Sequence, residues 1–246
     1  MTREQRSSAP AHHQRALAEV CRGARAPWDA RAALVRRLVL SNLRSVLHGV
    51  LPRTVDALGA RFEEDLTWFL RERGPRTPHV RDVPAEFARA IEARWRAADL
   101  TWIAELARFE HTDFRASFAP RSEGVPSDDV VRGELTLDAP LALRGPLLLE
   151  SFTYAVQEDD AARADPHTLL WYRDDAELAR TLRLTPMAAA LMRRWMAGEC
   201  LQDAMVAAAT EIGVTLDEPT LTRAAHFLDD LCARGIVLGA ALTTAR

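Results

Sequence analysis

Side chains able to do chemistry are few and far apart in this 246-residue chain. The densest group is Glu105, Glu110, His111 and Asp113, in a stretch whose apolar residues recur at helical spacing. A metal centre needs ligands that converge on one face, and helical neighbours such as Glu110 and His111 diverge by about 100°. No second histidine lies close to them in sequence. The spacing therefore predicts Glu110 as a partly buried carboxylate paired with an arginine, and His111 as a surface or interface residue. Cys21, Cys200 and Cys232 lie far apart, leave an odd one over and lack the close-pair spacing that holds zinc. They are expected to be reduced, with two of them buried. A Cys–His nucleophile made from Cys200 or Cys232 with His226 is an alternative, but Cys232 falls on the apolar stripe of its predicted helix and reads as core. His12-His13 is a weak ligand pair, and neither a Gly-rich phosphate loop nor a Gly-x-Ser-x-Gly elbow occurs. This inventory does not argue for an enzyme acting alone, and it predicts no metal or cofactor in this chain.

The elements that carry these residues are helical in the first half. Met1 to His13 reads as a flexible lead-in and Gln14 to Arg22 as a short helix. A long helix is predicted from about Trp28 to Val50, with Leu34, Leu38, Val46 and Leu47 as its apolar face, interrupted at Leu51-Pro52 because proline removes a helical hydrogen bond. Further helical turns follow through Val55-Leu58 and Phe62-Leu66-Phe69-Leu70, then an extended connection from Gly74 to Val83, then helices over Val83–Trp95 and Leu100–Phe114. The polar, turn-rich stretch from Arg121 to about Val131 is read as a linker. Beyond it, Glu134-Leu135-Thr136-Leu137 and Leu147 to Val156 are expected to be strands, and Gln157 to Pro166 an exposed acidic loop.

His167 to Gly239 is the most organised stretch. Leu169 to Arg173 reads as a strand and Asp174-Asp175 as a turn, and Leu178, Arg180, Leu182 and Leu184 fall on one side of a second strand. Thr185-Pro186 opens a helix with Leu191, Met192 and Trp195. A second carries Leu201, Ala204, Met205, Ala208 and Ile212, and a third carries Leu221, Ala224, Ala225, Leu228 and Leu231 before Ile236-Val237-Leu238. The expected fold is therefore α+β: an all-helical N-terminal domain over 14–120, then a winged-helix-like domain with a small antiparallel sheet over 132–246.

Winged helices bind DNA or peptides, and charge separates the two. His167 to Gly239 holds seven arginines against ten Asp and Glu, and the third helix pairs Asp217, Glu218, Asp229 and Asp230 with only Arg223 and Arg234. Phosphate contacts supply most non-specific DNA affinity, so a helix of net negative charge is poorly suited to a duplex, whereas an open strand beside an apolar helix stripe suits an added peptide strand. All 32 basic residues are arginine, which points to a GC-rich coding genome. They divide unevenly: Met1–Pro120 has 20 arginines and 15 acids, and the remainder has 12 and 20, giving about +5 and −8. Such an asymmetry would either help the halves pack on each other or give two faces for two different partners. No apolar run approaches the roughly 18 residues that a membrane span needs, and the polar start does not resemble a secretory signal, so a cytoplasmic location is expected.

Several segments resemble one family. Arg37-Leu38-Val39-Leu40-Ser41-Asn42-Leu43 through Leu51-Pro52 is similar to the N-terminal helical domain of the HvfC/BufC-like proteins, a domain formerly labelled DNA-binding. Arg76-Thr77-Pro78-His79-Val80-Arg81-Asp82-Val83-Pro84-Ala85-Glu86-Phe87 looks like that family's extended link, and Ala104-Glu105-Leu106-Ala107-Arg108-Phe109-Glu110-His111 like its Leu-Ala-x-Leu-Glu-Trp helix. Phe152-Thr153-Tyr154-Ala155-Val156 and Leu169-Leu170-Trp171-Tyr172-Arg173-Asp174-Asp175 resemble its longer members. Leu40-Ser41 stands where the family has Tyr-Arg, Leu51-Pro52 where it has Phe-Pro, and Glu110-His111 where it has Glu-Trp.

The resemblance implies a non-catalytic partner of a multinuclear non-heme iron-dependent oxidase, which binds the leader of a ribosomally made precursor peptide. The iron would belong to the oxidase. On this expectation Leu178, Arg180, Leu182, Leu184, Leu221, Ala225 and Leu228 receive the leader as an extra strand, and Asn42, Arg44, Glu86, Phe87, Glu110 and His111 dock the oxidase. The runner-up is a winged-helix transcription regulator meeting phosphates through Arg31, Arg36, Arg37, Arg44 and Arg53; an autonomous hydrolase using Cys200 or His111 ranks last.

Overall fold

The computed structural model describes residues 14, 16–119, 130–132 and 135–241. The predicted lead-in and most of the predicted linker lie outside these residues. The chain forms two units, Met1–His111 and Thr112–Arg246. It is α+β, with helices in the first unit and small antiparallel sheets in the second.

In the first unit a short helix α1 covers residues 16–22, and α2 spans Ala30–Val50. The side chain of Asp29 starts α2 by accepting from the Ala32 amide at 2.7 Å, and Pro52 ends it. Its buried face is Ala32, Leu43, Leu47 and Val50. Leu34 and Leu38 were expected on that face, but lie on the other side and are exposed. Helices α3 (Pro52–Leu58), α4 (Arg61–Glu72), α5 (Val83–Arg96) and α6 (Thr101–Phe118) follow. The connection before α5 is extended except for one 3₁₀ turn at Val80–Asp82.

Phe62, Phe69, Phe87 and Trp95 meet edge to face at 5.6–6.1 Å between ring centroids. One charge sits inside this core. Asp65 is fully buried and accepts from the Trp95 indole at 2.8 Å, while Arg94 and Arg61 approach it at 3.3 and 3.4 Å. A buried carboxylate is tolerated only with such partners.

The second unit contains two sheets. One is ordered β1 (Val130–Arg132), β6 (Val237–Ala241), β2 (Leu141–Leu143); the other is a meander of β3 (Leu148–Tyr154), β4 (Ala164–Arg173) and β5 (Ala179–Leu184). Val130 and Val131, expected at the end of the linker, belong to β1. Leu135 to Leu137, expected as a strand, is irregular chain entering a turn. The run after the third helix forms β6, which pairs with β1 and β2 instead of the meander.

Between meander and β6 come α7 (Pro186–Met196), α8 (Leu201–Ile212) and α9 (Glu218–Ala233). Thr185 caps α7 through the Ala188 amide at 3.3 Å, Asp217 caps α9 through the Thr220 amide at 2.9 Å, and Gly213 ends α8 at φ 69. Leu170, Tyr172 and Leu184 of the sheet pack with Leu191, Met192, Trp195, Ala204, Ala208 and Leu231 of the helices in one core. The last turns of α6 are tied to β4: Asp113 accepts from the Trp171 indole at 3.3 Å, and Arg173 donates to the carbonyls of Ala116, Ser117 and Ala119 at 2.6–3.0 Å. A guanidinium there satisfies carbonyls that the helix leaves unpaired.

Candidate functional site

The meander has β5 at one edge, and no strand among the described residues pairs with its outer side. Which backbone groups face outward follows from the hairpin. The Asp174 amide donates to the Leu178 carbonyl, so these two residues form a hydrogen-bonded pair. Such pairs alternate along an antiparallel ladder. The pairs Tyr172/Arg180, Leu170/Leu182 and Thr168/Leu184 therefore bond inward, and the N–H and C=O groups of Ala179, Thr181 and Arg183 turn to the open edge. Arg180, Thr181 and Arg183 are exposed.

The edge is held in shape from both ends. Asp174 accepts from the Ala176 and Leu178 amides at 3.0 and 2.9 Å and from Arg180 at 2.7 Å, and Glu177 takes a left-handed φ of 63 to complete the turn. Arg183 clasps Asp165 of β4 with two bonds of 2.9 and 2.8 Å. The Arg180 bond, with the Leu178 amide next, holds the Asp174 carboxyl below its ordinary value. A depressed carboxyl stabilises the fold above the unfolded value, and that contribution disappears as pH falls through the folded one. As pH drops below about 4, the amides of Ala176 and Leu178 are therefore expected to lose protection in hydrogen exchange, after correction for intrinsic rate, before the amides of β4 do.

The structure separates the predicted peptide-contact residues into three places. Leu184 is buried and Leu182 half-buried against the helices, so both belong to the core face of β5 and are not open to a partner. Leu178 lies in the turn before the strand, 53% exposed, and Arg180 is engaged with Asp174. Leu221, Ala225 and Leu228 line an apolar groove of about 360 Å³ between α8 and α9, with Met205, Val206 and Leu137. No β5 residue lines that groove. Sequence reasoning missed Thr181, whose outward amide is set by hairpin register, and the Asp165–Arg183 clasp, whose partners lie 18 residues apart.

The predicted docking residues of the first unit divide in the same way. Asn42 is exposed on α2, Arg44 makes a two-pronged pair with Glu63 at 2.7 Å, and Glu86 accepts from the Arg76 amide at 2.8 Å. His111 is half-buried on α6. Phe87 is fully buried in the aromatic core and presents nothing to a partner. Glu110, expected to pair with an arginine, accepts from the amides of Arg53 and Thr54 at 2.8 and 3.0 Å and from the Thr54 hydroxyl at 2.6 Å, and the Arg53 charge also acts on it. Helix α3 has no capping side chain of its own, so Glu110 caps it from 57 residues away.

Burial pushes the Glu110 carboxyl up, against the pull of its three donors. Replacing it with alanine strands the two amides and is expected to cost about 1–3 kcal/mol in urea unfolding. A folded value above the unfolded one means that the contribution is fully present below the unfolded value and declines as pH rises through the folded one. The wild type's advantage over Glu110→Ala should therefore be larger near pH 4 than near pH 7.

None of the three cysteines is buried: Cys232 is exposed and Cys21 and Cys200 are intermediate. The Cys232 stripe position is on the outer side of α9, and partial burial together with Asp229 raises its thiol. Neither Cys200 nor Cys232 bonds to a histidine, and no three His, Cys, Asp or Glu side chains gather as a metal site, among the described residues. No helix among them is long and apolar enough to cross a membrane. His12 and His13 lie outside the described residues. Comparison with family models and with curated proteins finds no match to this chain.

Proposed function

We propose that this chain is a non-catalytic partner subunit that takes up the leader of a ribosomally made precursor peptide and delivers its core to a multinuclear non-heme iron oxidase. The observation that carries the reading is the outer edge of β5, with three consecutive outward-facing backbone positions at Ala179, Thr181 and Arg183. An extended peptide pairing there gains backbone hydrogen bonds without disturbing the core, because Leu182 and Leu184 already face inward. Natural edge strands are often protected by a bulge or a cover, whereas β5 pairs with β4 in unbroken register and no strand among the described residues lies beyond it. The resemblance of the helical segments to oxidase partner proteins supplies the second half of the reading.

The test is co-expression of the tagged chain with the genes flanking its own, followed by pull-down and intact-mass measurement of any short peptide. An iron-containing protein should co-purify, and the peptide should change mass only when this chain is present. Purification of the chain alone, together with a shift of labelled duplex DNA, would replace the proposal with the regulator reading.

A further inference from the structure

Two surfaces remain that the strand-edge reading does not use, and they complement each other. The groove between α8 and α9 is floored by Met205, Ala224 and Leu228 and rimmed by Leu137, Val206 and Leu221, which are 67%, 53% and 46% exposed. From Leu201 to Ala233 the chain carries six carboxylates against one arginine. Three of those carboxylates, Asp203, Glu218 and Asp229, stand three or four residues from groove positions Val206, Leu221 and Ala225, hence beside them on the helix surface, and make no ion pair among the described residues. An apolar, acidic-rimmed groove between two helices suits an amphipathic helix with leucines one turn apart and arginines beside them.

The first unit of the same chain presents such a helix. On α2, Leu34 and Leu38 are one turn apart and 44% and 59% exposed. Arg31 and Arg37 are exposed beside them and make no ion pair among the described residues. Ser41 and Asn42 continue the face with small exposed side chains that permit close approach. We infer that α2 of one copy docks into the α8–α9 groove of a second copy, Leu34 and Leu38 entering the groove and Arg31 and Arg37 meeting its carboxylates. The contact joins two different surfaces, so repetition gives a ring if the rotation closes and a chain of copies if it does not. It does not depend on the peptide reading, because it uses neither β5 nor any precursor.

The test is sedimentation velocity on the purified chain across the micromolar range. The wild type should move from the 27.4 kDa monomer toward larger species as concentration rises. That association should weaken in about 1 M salt, where the screening length is about 3 Å. Leu38→Asp and Leu221→Asp change exposed positions and should each leave the thermal midpoint unchanged and the chain monomeric. A mixture of the two variants keeps one intact groove and one intact α2, so it should form a dimer and nothing larger. A monomeric wild type at every concentration, a variant that still associates alone, or a mixture that stays monomeric would each overturn the inference.

Discussion

Replacing Asp65 with alanine is expected to destabilise the first unit by about 3 kcal/mol, because a fully buried carboxylate is removed from three donors at once. The largest share belongs to the Trp95 indole, which is fully buried and has its 2.8 Å bond to Asp65 as its anchor. Without Asp65 that N–H is stranded inside the buried aromatic core, beside Phe87. Arg61 and Arg94 lose less, since their side chains are 33% and 39% exposed and can turn to solvent. Asp65→Asn keeps an acceptor oxygen for the indole while discarding the charge, and should fall between wild type and alanine. Urea unfolding followed by tryptophan fluorescence measures all three. A loss of under about 1 kcal/mol for alanine would mean that the carboxylate is not the organising group of this core.

The second large effect concerns binding. Thr181→Pro should leave the second unit folded and reduce capture of a leader peptide by at least about tenfold, the equivalent of losing one or two net backbone hydrogen bonds. The Thr181 amide points away from β4, so proline removes no bond of the ladder, and proline is accepted on edge strands at such positions. What it removes is a donor for the incoming strand, and its ring obstructs the approach. Arg180→Pro is the opposite control. It deletes an inward amide that the hairpin uses, and it should lower the thermal midpoint. Equal binding by wild type and Thr181→Pro would mean that the peptide does not add to β5.

Much of this architecture is visible in the sequence, for local reasons. Asp29, Thr185-Pro186, Asp217 and Gly213 are start and stop signals that act within one turn, and the helices begin and end beside them. The hairpin is visible because alternation and a polar turn are also local. What pattern alone could not resolve was which of two apolar stripes a helix buries. Leu34 and Leu38 are as apolar as Leu43 and Leu47, yet only the second pair faces the core. Long-range partners were equally hidden. Nothing near Glu110 indicates that it caps α3, and nothing in Ile236-Val237-Leu238 indicates pairing with β1 and β2. The site suffered from the same limit. Leu182 and Leu184 are apolar and for that reason core, and the groups left for a partner are backbone atoms set by register.

Amide hydrogen exchange across the β4–β5 hairpin, with and without the short peptide that co-purifies from co-expression, tests peptide addition most directly. Slower exchange is expected at Thr181 and Arg183, whose amides face outward, with little change at Arg180 and Leu182, whose amides are already bonded to β4. Unchanged exchange at Thr181 and Arg183, with new protection appearing in α8 and α9 instead, would contradict it and place the peptide elsewhere.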